Sequence, residues 1–247
     1  MVRLPARLTA KLTKFRIAQI FNSAPTHSLI HYVDPAEVLH PGSEVPVSHE
    51  KMQEILESRA PVIWIGGSEP LLHAGIGHFV RAIVQSGHFA FLETDGTHLR
   101  RHIHEFQPLA ELFLTVRLNS LQSTESALAV EGLRAARLSG FFTVVHSLAR
   151  EDSDLVQLSA LRTFIGENDV DGWLISAAST DEAVVRKAAK ARALIRSSFW
   201  RQLSKHVEGA LLSETHGREL RDASAPAAEK VQAPAREEAR QEGVGVA

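Results

Sequence analysis

Several short polar clusters in this sequence could do chemistry, and most of them follow an apolar run. The richest is Gly66-Gly67-Ser68-Glu69-Pro70, with Leu71-Leu72-His73 behind it. Paired glycines let a backbone come close to a bound molecule, and Glu69 adds a charge beside them. Further along come Glu93-Thr94-Asp95-Gly96-Thr97, Arg117-Leu118-Asn119-Ser120, His146-Ser147 and Ser176. Glu69 and Glu93 are candidates for an acid–base pair if they end adjacent strands. The 13 histidines invite a metal reading, with His27, His31 and His73 as the set to watch and Glu69 nearby. His102 and His104 are a poor ligand pair, because residues two apart on a helix point in different directions. Arg100 and Arg101 read as a solvated helix face, and Trp64, Trp173 and Trp200 as packing residues. The chain has no cysteine, which removes thiol nucleophiles, disulfides and every cysteine-containing zinc site. It has no P-loop and no Ser-His-Asp order, and Gly75-Ile76-Gly77 lacks the third glycine of a dinucleotide fingerprint.

The elements that must position these clusters alternate. Residues 15–21, FRIAQIF, read as a first strand, short and rich in aromatic and β-branched residues. Residues 22–48 carry turn signals at Asp34-Pro35 and Pro41-Gly42, and Ser48 reads as the cap of a helix ending near Ser58. Strands follow at residues 62–65, 89–93, 112–118, 141–146 and 172–176. Helices fill the gaps, at about residues 75–85, 97–106, 123–139 and 154–168. Ser179 and Glu182 read as a capping box for one long helix reaching Val207. The strand runs are continuously apolar rather than alternating. That pattern marks parallel strands covered by helices on both faces. Six such units close partway into a barrel or lie as an open doubly wound sheet, and spacing alone does not decide; in either case the chemistry is expected at the C-terminal strand ends.

Composition sets the outer bounds. A 44% hydrophobic and 23% charged chain of 247 residues can bury a sizeable core. A net charge of -2 argues against nucleic acid as a partner, and no apolar run is long enough for membrane insertion. The basic lead-in, residues 1–14, lacks a signal-peptide core, and a cytoplasmic location is expected. Residues 15–213 form the expected domain. Residues 214–247 are rich in Ala, Glu and Arg and are expected to stay disordered.

The run WIGGSEPLLHAGIGHFVRAI, with FLETDGTHLRR behind it, resembles the radical S-adenosylmethionine (radical SAM) superfamily. There a strand ends in Gly-Gly-Glu-Pro and the next in Thr-Asn-Gly-Thr. The likeness covers about residues 15–206 and implies a partial (β/α)6, TIM-like barrel. It also implies a C-x3-C-x2-C loop holding three irons of a [4Fe–4S] cluster, with SAM on the fourth. The same spacing falls on Ala24, Ser28 and His31, with Tyr32 in the place of the following aromatic residue. Such clusters need soft thiolates, and one imidazole cannot replace three of them. By the resemblance, Gly66, Gly67, Ser68 and Glu69 line a SAM pocket, with Asn119 and Ser120 at the fourth strand end. Three departures stand out: Ser68 is inserted, Asp95 replaces Asn, and the fifth strand lacks the usual Gly-x-Ile-x-Gly-x-x-Glu pattern. The implied reading is a pseudoenzyme that binds a small ligand, SAM among the candidates, or a partner protein. Two alternatives stay open: a non-radical or metal-dependent enzyme at the strand ends, with His31 and His73 as the metal candidates, and an interaction scaffold with an inert pocket.

Overall fold

The computed structural model describes residues 5–21, 28–38 and 49–224. Six strands form one wholly parallel sheet in sequence order: β1 (Ile30–Val33), β2 (Val62–Ile65), β3 (Phe89–Thr94), β4 (Leu112–Arg117), β5 (Phe142–Ala149) and β6 (Gly172–Ala177). The register pairs Ile30 with Val62, Val62 with Phe89, Glu93 with Thr115, Arg117 with His146 and Leu148 with Ser176. Every residue of β2, β3 and β6 is buried, as continuous apolar runs require of a sheet covered on both faces. The sheet curls into a half-barrel, the α/β partial barrel that the resemblance implied and that strand spacing alone left undecided against an open sheet.

The crossovers are α1 (Ala6–Phe21), α2 (Pro35–Val38), α3 (His49–Leu56), α4 (Ile76–Gln85), α5 (Leu99–His102), α6 (Thr124–Leu138), α7 (Leu155–Glu167), α8 (Glu182–Ala191) and α9 (Ser198–Ser224). Side-chain caps start three of them. Ser123 accepts from Ser126 N, Asp154 from Val156 N and Asp181 from Ala183 N.

Two sequence expectations are corrected. Residues 15–21 are not a strand but the last turns of α1, whose Leu8 and Leu12 are buried and whose Phe15 packs against the core. Leu8, Leu12 and Phe15 recur at helical spacing and form the apolar stripe of the helix, while Ile17 and Phe21 are exposed. The first strand is Ile30–Val33 instead. The single long helix after β6 is two helices. Asp181, not Ser179, caps α8, and a 3-10 turn at Arg192–Leu194 separates it from α9. α9 then runs to Ser224, past the expected boundary at 213. Ala24, His27 and Ser48 lie outside the described residues.

The open side of the half-barrel lies between β1 and β6, and α9 packs against both. Within the barrel an aromatic tier fills the floor. Trp64 stacks on Phe91 with centroids 5.4 Å apart, Phe91 stacks on Phe113 at 4.5 Å, and Trp200 meets Phe113 edge-on at 6.4 Å.

Candidate functional site at the strand ends

Going along each strand from the aromatic tier, the inward residues become polar. Glu93 follows Phe91 by two positions on β3, Arg117 follows Phe113 by four on β4, and His146 and Ser176 come from β5 and β6. The side chains converge. His146 Nδ1 donates to Glu93 Oε1 at 2.6 Å, Trp64 Nε1 donates to Glu93 Oε2 at 3.1 Å, and His146 Nε2 lies 3.0 Å from Ser176 Oγ. Glu93 and His146 come from strands separated by β4, so this contact needs the curl of the sheet. Burial alone pushes the Glu93 carboxyl up. The charge and hydrogen bond of His146, the charge of Arg117 and the Trp64 hydrogen bond outweigh it and hold the group below its ordinary value.

The order serine, imidazole, carboxylate is that of an activated nucleophile. Access argues against that use: Ser176 and His146 are 0% exposed and Glu93 is 4% exposed. The three act as a closed, hydrogen-bonded floor beneath the mouth.

The mouth itself is built around Gly66-Gly67-Ser68-Glu69. A Cβ on Gly66 would sit 2.7 Å from Glu93 Oε2, so only glycine lets the β2 end lie against the buried carboxylate. Gly67 has φ of +101°, and a side chain there would meet Asp34 Oδ2 at 2.5 Å. Ser68 Oγ donates to Asp34 Oδ1 at 2.6 Å and lies 3.3 Å from His73 Nε2. Glu69 is fully engaged. Its Oε1 accepts from Thr94 Oγ1 at 2.7 Å and from Leu71 N at 3.2 Å, and its Oε2 accepts from Asp95 N at 2.9 Å. Asn119 Oδ1 accepts from Leu148 N at 2.7 Å, and Ser120 Oγ from Gln122 N at 3.2 Å. Both polar groups at the β4 end are turned to backbone.

Arg117 stands apart. Its Nη2 lies 4.0 Å from Glu69 Oε2, its side chain is 31% exposed, and its Nε is buried with no hydrogen-bond partner. A buried N–H donor left without a partner costs about 1–3 kcal/mol. Sequence reasoning named Arg117 as a strand-end residue without giving it a role. The run of polar residues after LFLTV was the available signal.

The residues singled out as cluster positions fall elsewhere. Ser28 directly precedes β1, where its Oγ donates to Ile30 O at 2.6 Å, and His31 lies inside β1. The chain that follows the first strand is Asp34-Pro35-Ala36 instead. With no cysteine anywhere in the sequence, the donors at the strand ends are carboxylate, imidazole and hydroxyl. They do not fit a thiolate-held cluster. Among the described residues no group of three or more His, Cys, Asp and Glu could hold a metal ion. His73 sits at the mouth beside Ser68, whereas His31 lines a separate groove with Arg16 and Lys205. No described helix is long and apolar enough to cross a membrane.

A half-barrel of six parallel strands with a glycine-built mouth at its C-terminal end defines the fold class. Among solved structures it is similar to Streptococcus suis SuiB bound to S-adenosylmethionine (TM-score 0.50, 13% identity, 72% of this chain and 44% of that one). It is also similar to SuiB bound to the precursor peptide SuiA (TM-score 0.50, 14% identity, 76% and 48%). Archaeal TYW1 aligns at a TM-score of 0.47 and 14% identity over 75% of this chain and 81% of that one. The chain spans less than half the length of these SuiB chains. At these identities the likeness is one of fold alone. No family model matches the sequence, and no curated protein does.

Proposed function

We propose that this chain is a pseudoenzyme of radical SAM fold that holds a small zwitterionic ligand, of which SAM is the first candidate, at the strand-end mouth. The observation that carries this reading is Arg117, a partly exposed guanidinium whose buried Nε has no partner. A guanidinium edge recognises a carboxylate through two parallel hydrogen bonds, so a ligand carboxylate would satisfy it. Asp34 and Asp95 stand at the ends of β1 and β3, on either side of the β2 end, and supply negative charge for an ammonium or sulfonium. Gly66, Gly67, Ser68 and Glu69 form the wall between, with Asn119 and Ser120 at the β4 end. The SAM bound to SuiB supports the choice of ligand. No reductive cleavage is proposed, because the donor set cannot hold the cluster that would supply the electron.

Calorimetry with SAM, S-adenosylhomocysteine and methionine tests the reading. Saturable binding is expected, weakened at least about tenfold by Arg117→Gln, which corresponds to about 1.4 kcal/mol. Absence of binding by all three at about millimolar concentration, a binding free energy weaker than about −4 kcal/mol, would remove the ligand reading. A partner protein is the second reading. Exposed Leu72, Leu121, Leu155 and Val156 all lie in segments that follow strand ends, and one SuiB structure holds a peptide.

A further inference from the structure

On the opposite margin of the sheet from β6, an open groove of about 750 Å3 runs between α1, β1 and the middle of α9. That volume is in the range of sites for drug-sized molecules, roughly 300–1,000 Å3. Arg16 enters it from α1, His31 from β1, and Lys205 and His206 from α9. Glu214 is the one acidic residue in its wall among the described residues. Arg16 Nη2 donates to His206 Nε2 at 2.6 Å, which leaves Nδ1 as the remaining donor of that ring. His31 has no hydrogen-bond partner among the described residues. Burial lowers the pKa of both imidazoles, and for His206 the charges of Arg16 and Lys205 lower it further. The groove therefore carries a positive potential and a set of donors. Leu29, Ile30, Ala60 and Ala210 add apolar surface beside them.

We infer that this groove binds a phosphate-bearing organic anion of about nucleotide size. The phosphate lies among Arg16, Lys205 and His206, and the organic body rests against Leu29, Ile30 and Ala210. Guanidinium and ammonium groups are the usual partners of phosphate oxygens, and the apolar wall favours an organic phosphate over the inorganic ion. None of the mouth residues Gly66, Gly67, Glu69 and Arg117 lines the groove, so the site is independent of the ligand proposed there.

AMP is the probe and inorganic phosphate its control. Calorimetry is expected to show saturable AMP binding, tighter than that of phosphate and weakened by salt. Arg16→Gln with Lys205→Gln should weaken it at least tenfold. Both side chains are exposed, so the melting temperature should hold. Lys205→Glu alone should give the same loss as a second check. NMR of the imidazole signals should show the His206 pKa rising when AMP binds. Arg117→Gln should leave AMP binding unchanged, which separates this site from the mouth. AMP affinity that survives the double substitution, or no saturation by about 1 mM AMP, a binding free energy weaker than −4 kcal/mol, would overturn the inference.

Discussion

The two margins of the sheet solve the problem of a strand edge differently. An edge strand presents N–H and C=O groups that need partners. At β6 the partners are side chains of one helix and the turn before it. Ser204 Oγ accepts from Ile175 N at 3.1 Å, and Glu208 Oε2 accepts from Ala177 N at 2.6 Å. Arg192 Nε donates to Ile175 O at 2.9 Å, and its Nη2 pairs with Glu208. The spacing works because two strand residues advance about 6.7 Å and four helix residues about 6 Å. Ser204 and Glu208 thus step along α9 as Ile175 and Ala177 step along β6. At β1 the same helix also packs on the strand, but its Lys205, His206 and Glu214 face an open groove. One margin is sealed by buried charge, and the other keeps its charges solvated. The same helix stabilises one edge and shapes a cavity at the other.

That contrast can be broken from either side. The largest effect is expected from Glu208→Ala. It leaves Arg192, 5% exposed, as an unpaired buried cation and strips Ala177 N of its acceptor. A loss of about 3–5 kcal/mol in urea unfolding is expected. A loss below about 1 kcal/mol would mean that the margin is hydrated and not sealed. Ser204→Ala comes next. It removes one acceptor from a buried N–H, and a loss of about 1–3 kcal/mol is expected in the same measurement. The smallest effect belongs to the β1 margin and is one of pH. His206 holds its proton less readily in the folded chain than in the unfolded one, where its ordinary value is 6.5. The unfolded state therefore binds more protons as pH falls through 6.5. Stability should be flat above that point and decline below it. Melting curves across pH 5–8 should show a shallower acid decline for His206→Gln. An unchanged decline would place its origin elsewhere.

Much of this architecture is legible in the sequence where burial is two-sided. VIWI, FAFLET and GWLISA open on apolar runs and are buried throughout because both faces are covered, and their strands are found at those positions. The one-sided β1 hides. His31 and Tyr32 are only half-buried, so IHYV does not look like a core strand, while FRIAQIF does and is helical. That exchange carried the cysteine-like frame from after the first strand to before and within it. The cap of α8 has a similar local cause, since Asp181, directly before Glu182, takes the capping place that the Ser179–Glu182 spacing suggests. At the site, Glu93, His146 and Ser176 were each visible as strand ends. Their convergence was not, because it depends on how tightly the sheet curls across β4, and no local pattern encodes that curvature.

The carboxylate of Glu69 carries a wider consequence. Its oxygens receive a hydroxyl and two main-chain amides, two of the three from the neighbouring strand end, so it splices β2 to β3. A signature that reads as the mark of a cofactor is here also a joint in the scaffold. Selection for foldability alone would keep such a joint, whatever else the site does. A catalogue of enzymes assembled from that signature would then collect well-built proteins as readily as active ones.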